Sequence, residues 1–394
     1  MATTSVPWPL ATAARAFQRH PGGLYLDCAA QGPRLRATRQ ALTQVAADPA
    51  WGWRGDPSTW RPRIEALRTL AAGLFDGDGD GVAFVPSAAH ALSIAAANVT
   101  LQAGDGVLLL ADEFPSNVLP WRQRCLDVGA QIVFARRAPG GDWTSAVLDA
   151  LDSSPRITVL ALSQVHWIDG TRVDLDRIAP AARARGARLV LDLSQSLGAL
   201  RVDLAAWQPE FVASVGYKWL LGPYGLAYLW VAPQWRQHGR PLEHGWMARD
   251  GDALWQAGAE CGAPWLAGAR RFDADGLCDA ARLAVAQAGL EQVLAWSSGG
   301  LDESLCTRVD ALSRALRAEG LGAWLPEGAC AHFCGLRLPA SAAEAIVAGL
   351  RADGIAATWR RGHLRIAPHL HVPPRRLLAL APRLRALADA AGAG

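Results

Sequence analysis

The stretch FVASVGYKWLLGPYGLAYLWV, residues 211–231, decides how this chain is read. FVASV (211–215) and LAYLWV (226–231) have the length and the β-branched and aromatic content of buried strands. Between them Gly216 and the Gly-Pro-x-Gly turn at Gly222 to Gly225 hold Lys218 on a short, fixed connection. Lys218 is the single lysine among 39 Lys and Arg residues. Arginine stays protonated, whereas lysine can lose its proton and attack a carbonyl. That property serves imine-forming, Schiff-base chemistry. A lone lysine is equally what an arginine-rich composition leaves behind, so the surroundings of Lys218 carry the decision.

Outward from that stretch, apolar runs recur at VAFVP (82–86), GVLLLA (106–111), QIVFA (131–135), ITVLALS (157–163) and ARLVLDLS (187–194). Amphipathic segments such as HALSIAAANVTL and LDRIAPAARARG separate them. Strands alternating with helices of this length predict an α/β fold: a mostly parallel seven-stranded sheet with helices on both faces. Ligands of such sheets gather at the C-terminal ends of the strands. After about residue 280 long Ala/Leu/Arg helices precede the short strands AHFCGLRL and HLRIAP. The expected division is a large α/β domain over 21–280 and a smaller α+β domain over 281–394, with residues 1–20 packed on the latter.

The bulk numbers narrow the class. With 51% hydrophobic and 19% charged residues the chain has ample core and little material for disorder. A net charge of +3 argues against a nucleic-acid partner. No apolar run approaches the ~20 residues of a membrane span, and the N-terminus lacks a secretory pattern. Seven scattered cysteines without a C-x-x-C pair indicate reduced thiols and a cytoplasmic setting. Cys330 and Cys334, in CAHFCGLRL with His332, read as a buried strand rather than a metal site. No metal is expected.

Several positions carry chemistry. Asp192 ends the apolar strand 187–194, where a carboxylate can keep a pyridine nitrogen protonated and the ring an electron sink. Gln195 follows three residues on, within reach of a phenolic oxygen. FVPSAAHALS runs from strand through small residues into a helix, so backbone N–H groups at Ser87, Ala88 and Ala89 form a cradle for phosphate. Phe114, in DEFPSNVLPW, offers a ring to stack on a cofactor. Arg365, in HLRIAPHLHV, offers a guanidinium fork for a carboxylate. DGDGDG (76–81) mimics half of a calcium loop, but its twelfth position is Ser87, so it reads as a turn. Nicotinamide, P-loop and serine-hydrolase signatures are missing.

Taken in order, YLDCAAQGP, FVPSAAHALS, DEFPSNVLPW, LSQVHWIDGTRVDL, LVLDLSQSLGA, SVGYKWLLGPYG, ARRFDA and LRIAPHLHV resemble the class V aminotransferase family of fold-type I enzymes. That family includes cysteine desulfurases and isopenicillin-N-epimerase-like proteins. The resemblance runs from about residue 24 to 372. It implies pyridoxal 5′-phosphate as cofactor, Lys218 as the Schiff-base lysine, Asp192 as the pyridinium partner and Gln195 as the contact to the ring oxygen. It implies a phosphate cup at Ser87 to Ala89 joined by Ser214, with Phe114, Tyr217 and Trp167 around the ring. Arg365 would take the α-carboxylate of an amino-acid substrate. A homodimer is implied too, Gly276 lending a backbone N–H to the neighbouring subunit's phosphate.

The chain also departs from desulfurases. Tyr217 stands where they place a histidine before the lysine, and Phe114 where they carry a stacking histidine. No cysteine lies between Cys334 and the C-terminus, so the loop cysteine that carries persulfide is missing. The expected function is therefore aminotransferase or epimerase-like chemistry at the α-carbon of an amino acid, ahead of C–S lyase chemistry. A non-catalytic cofactor-binding protein is the reading from another class.

Overall fold

The computed structural model describes residues 10–392, apart from 22, 51, 52, 54–56, 155, 252–255, 257, 259 and 261. Its strands are β1 (Leu24–Tyr25), β2 (Val82–Val85), β3 (Gly106–Leu110), β4 (Gln131–Ala135), β5 (Ile157–Ser163), β6 (Arg188–Asp192), β7 (Phe211–Val215), β8 (Ala227–Val231), β9 (Cys334–Arg337), β10 (Ile355–Ala356), β11 (Thr358–Arg360) and β12 (His363–Ile366).

β2 to β8 form one seven-stranded sheet in the order β2-β8-β7-β6-β5-β3-β4. Only β8 runs against its neighbours. It can do so because the turn after Lys218 is too short for a crossover, and a short turn joins only antiparallel strands. The central strands are apolar along their length because helices cover both faces. Alternate residues go to opposite layers. Leu160 and Leu162 of β5 join Leu189 and Leu191 of β6 on one face, while Val159, Ala161 and Val190 pack with Val107 and Leu109 on the other. Each such Leu or Val contributes about 1.5–3 kcal/mol by leaving water.

β9, β12 and β11 make an antiparallel three-stranded sheet backed by the helices Leu301–Ala318, Ala343–Ala352 and Leu380–Ala390. β1 pairs with β10, and Leu24 and Leu26 share the C-terminal core with Leu336, Ile346 and Leu364. Residues 24–26 thus pack with the C-terminal part, whereas the division at 21 had assigned them to the large domain. Strand pairing across some 330 residues is invisible to local pattern. The helix Ala280–Ser297, expected in the smaller domain, buries Leu283, Leu290 and Val293 in the large core. Phe17 lies at the junction, stacked on Trp296 at 5.2 Å and edge-on to His369. Residues 1–9 and Cys261 lie outside the described residues.

DGDGDG is a turn. Asp78 caps Gly81 and pairs with Arg236 and with the indole of Trp230, and Asp80 pairs with Arg270. Cys334 opens β9, while Cys330 lies before it, half-buried. No described helix is long and apolar enough to cross a membrane.

Candidate active site

The C-terminal ends of the parallel strands converge on a cavity of about 230 Å³. Five strands deliver residues at or just beyond their ends: Ser87 to Ala89 after β2, Glu113 and Phe114 after β3, Trp167 after β5, Asp192 and Gln195 from β6, and Tyr217 and Lys218 from β7. This is the edge where open α/β sheets hold ligands.

Lys218 sits on the turn out of β7, almost fully buried. Gly216 and Gly222 fix that turn, Gly222 N donating to Gly216 O at 2.9 Å. From the loop after β1, Gly32 N donates to Tyr217 O at 2.8 Å. A side chain at Gly32 is impossible, because a Cβ there would lie 2.1 Å from the Lys218 carbonyl oxygen. Burial brings the Lys218 ammonium down to about 8, with Arg365 and Arg360 adding to the effect and Asp192 opposing it. Its Nζ lies 5.5 Å from the Phe114 ring centre and 6.0 Å from that of Tyr217. The amine thus gives up its proton far more readily than an ordinary lysine.

Asp192 accepts from Ser194 N at 2.9 Å through Oδ1 and borders the cavity. Gln195 donates from Nε2 to Ala29 O at 3.0 Å and accepts at Oε1 from Trp219 Nε1 at 3.0 Å. Ser87 caps the helix Ala88–Asn98, its hydroxyl accepting from His90 N. The N–H groups of Ala88 and Ala89, in the first turn, have no acceptor within that helix, and both residues border the cavity. Phe114 and Trp167 meet edge-to-face at 5.1 Å, and the Trp167 indole donates to Asp112 O at 2.7 Å.

Three residues fall elsewhere. The Ser214 hydroxyl is turned onto the carbonyls of Leu193 and Val215, and Val215 borders the cavity instead. Strand alternation explains it, since neighbours in β7 face opposite layers. Arg365 lies behind the wall, with Nη2 3.2 Å from Asp27 Oδ1 and Nη1 3.5 Å from Trp167 O. Gly276 is exposed, outside this chain's cavity, with φ of 80° and its N–H on Met247 Sδ.

Two residues escaped sequence reading. Glu113 is a buried carboxyl that accepts from Phe114 N and from Ser163 Oγ, and burial pushes it above the usual carboxylate range. Its signal was available, an acid just past an apolar strand, as for Asp192. Tyr224 stacks on Tyr217 at 3.8 Å, a contact that only the turn geometry creates.

The donor set fits pyridoxal phosphate. A helix start lined by alanines suits the phosphate, a carboxylate with one oxygen left over suits a ring nitrogen, and a buried amine near neutral pKa suits its aldehyde.

The aminotransferase class-V family model matches residues 25–312. A probable cysteine desulfurase of Methanothermobacter thermautotrophicus is 28% identical over 254 residues, 60% of this chain and 62% of that protein. A kynureninase of Deinococcus radiodurans is 30% identical over 284 residues, 67% and 64% of the two chains. The match thus spans a little over six tenths of the length of these curated relatives. Among solved structures, the cystine C–S lyase C-DES bound to its product cysteine persulfide superposes with a TM-score of 0.78 at 20% identity, covering 92% of this chain and 97% of that one. On the strength of the family match, this chain belongs to the class V aminotransferases, a family of pyridoxal-phosphate enzymes.

Proposed function

We propose that this protein is a pyridoxal-phosphate-dependent lyase that cleaves the Cβ–S bond of a cysteine-type amino acid and releases the sulfur to solvent. The similarity to a cysteine desulfurase, by name a sulfur-removing enzyme, moves this reading ahead of the aminotransferase or epimerase-like one expected from sequence. The observation that carries the release step is the composition of the cavity wall. None of the six described cysteines borders the cavity of Lys218. The nearby Cys28 is wholly buried, and burial raises its thiol well above the ordinary range, so it stays protonated.

Bound at this site, the cofactor supplies an electron sink for charge that develops at Cα. The chain supplies the rest. Ala88 and Ala89 would hold the phosphate, Asp192 the ring nitrogen, Gln195 the ring oxygen, and Phe114 and Trp167 one wall. Lys218 Nζ, its pKa lowered by burial, would take the Cα proton of the bound substrate. Arg365 would orient the carboxylate from behind Trp167. The working unit is proposed to be a homodimer in which Gly276 faces the partner's phosphate.

The balanced reaction for cysteine is cysteine plus water giving pyruvate, ammonia and hydrogen sulfide. Holoenzyme given cysteine or cystine, without any added α-keto acid, is expected to form pyruvate and ammonia in equal amounts. Turnover only when an α-keto acid is present, or racemisation without loss of sulfur, would replace this reading.

A further inference from the structure

Gln195 has a polarity that its own surroundings impose. An amide can offer either its oxygen or its nitrogen to a ligand. Here the oxygen is already taken by the indole N–H of Trp219 at 3.0 Å, and one amide hydrogen by Ala29 O at 3.0 Å. With the oxygen turned to the indole and one N–H to Ala29, the second Nε2–H is the donor left for the cavity that Gln195 borders. Trp219 follows Lys218 in the chain and is itself fully buried. Its ring is packed edge-on by His332 at 4.1 Å and face-on by Phe333 at 6.2 Å and His369 at 6.0 Å. Those three rings come from the segments just before β9 and just after β12.

From this arrangement we infer that Trp219 is a positioning residue which makes Gln195 a pure hydrogen-bond donor toward the cofactor's ring oxygen. The C-terminal rings hold the indole, the indole holds the amide carbonyl, and the amide N–H is left for an anionic oxygen. A donor at that point favours the form in which the oxygen carries most negative charge. It thereby lowers the pH at which the lysine-linked chromophore gives up its proton. The inference rests on the ring oxygen facing Gln195 and not on which reaction follows, so it stands or falls separately from the lyase assignment.

The test is a pH titration of the visible absorbance of substrate-free holoenzyme. Trp219→Phe and Gln195→Leu are each expected to raise the midpoint, by roughly one pH unit. The double variant is expected to match Gln195→Leu alone, because the indole acts only through the amide. An unmoved midpoint in Trp219→Phe, or a double variant equal to the sum of the two single shifts, would overturn the inference. Gln195→Glu covers the case in which Trp219→Phe does not fold. It keeps an acceptor for the indole but offers no donor to the cavity, so the midpoint should again rise. If it stays at the wild-type value, Gln195 is not the donor.

Discussion

The carboxylate of Asp27 lies 3.2 Å from the guanidinium of Arg365, tying the loop after β1 to β12. Thr358 of β11 donates to the other oxygen of Asp27. The arginine expected to grip the substrate is therefore already neutralised from behind, with Nε buried and unpartnered among the described residues. Asp27→Asn should leave an uncompensated buried charge and destabilise the free enzyme by about 3 kcal/mol. The same change should tighten binding of a simple carboxylate, measured by titration of the holoenzyme. Arg365→Ala should instead raise KM on the order of a hundredfold with little change in the cofactor spectrum. Loss of carboxylate affinity in Asp27→Asn would show instead that the arginine needs its aspartate partner to be held in a binding position.

Lys218 sets a pH window for the cofactor-free protein. Its folded pKa of about 8 lies below the ordinary value of 10.5. Between those two values the unfolded chain holds a proton that the folded chain has lost, so this group makes stability rise with pH. Below pH 8 it costs the fold about 3 kcal/mol. Urea unfolding of wild type and Lys218→Met at pH 7.5 and pH 10 should show Met the more stable at low pH and the gap closing at high pH. A gap independent of pH would deny the depressed pKa. Lys218→Met should also fail to form any reducible chromophore.

His332 works in the acid direction. It is wholly buried beside Trp219, and burial brings it down to about 3 from 6.5. The folded state excludes a proton that the unfolded chain accepts, so stability is complete above pH 6.5 and is lost as pH falls toward 3. The total is on the order of 4–5 kcal/mol. His332→Phe should move the midpoint of acid unfolding, followed by circular dichroism, to lower pH. A midpoint that stays put would mean the ring is already solvated or charged.

Phe114 faces the lysine amine and braces Trp167. Phe114→Ala removes one edge-to-face pair and the ring beside the cofactor, together worth about 1–1.5 kcal/mol. Cofactor dissociation measured by fluorescence should become about tenfold easier, with the helix Pro115–Val128 intact.

The seven strands of the main sheet were legible because each is a short apolar run bounded by turns, and the placement of Lys218 and Asp192 at the cavity was legible because each stands at or just past the end of such a run. Ser214 was misplaced by one position, since a motif gives the neighbourhood and the pleat decides which neighbour points inward. Glu113 gave the same signal as Asp192 but was passed over beside the more conspicuous Phe114. The pairing of β1 with β10 had no local signature at all.

The residues alone determined the α/β architecture and the family and singled out the lone lysine, because these depend on periodicity and on side-chain chemistry. Folding decided which groups spend their hydrogen bonds on one another. Arg365 meets Asp27 and Gln195 meets Trp219 only because segments far apart in the chain close on the same strand ends. Burial there removes water as a competitor, so the direction of each hydrogen bond and the charge of each group are set by neighbours that sequence order does not reveal.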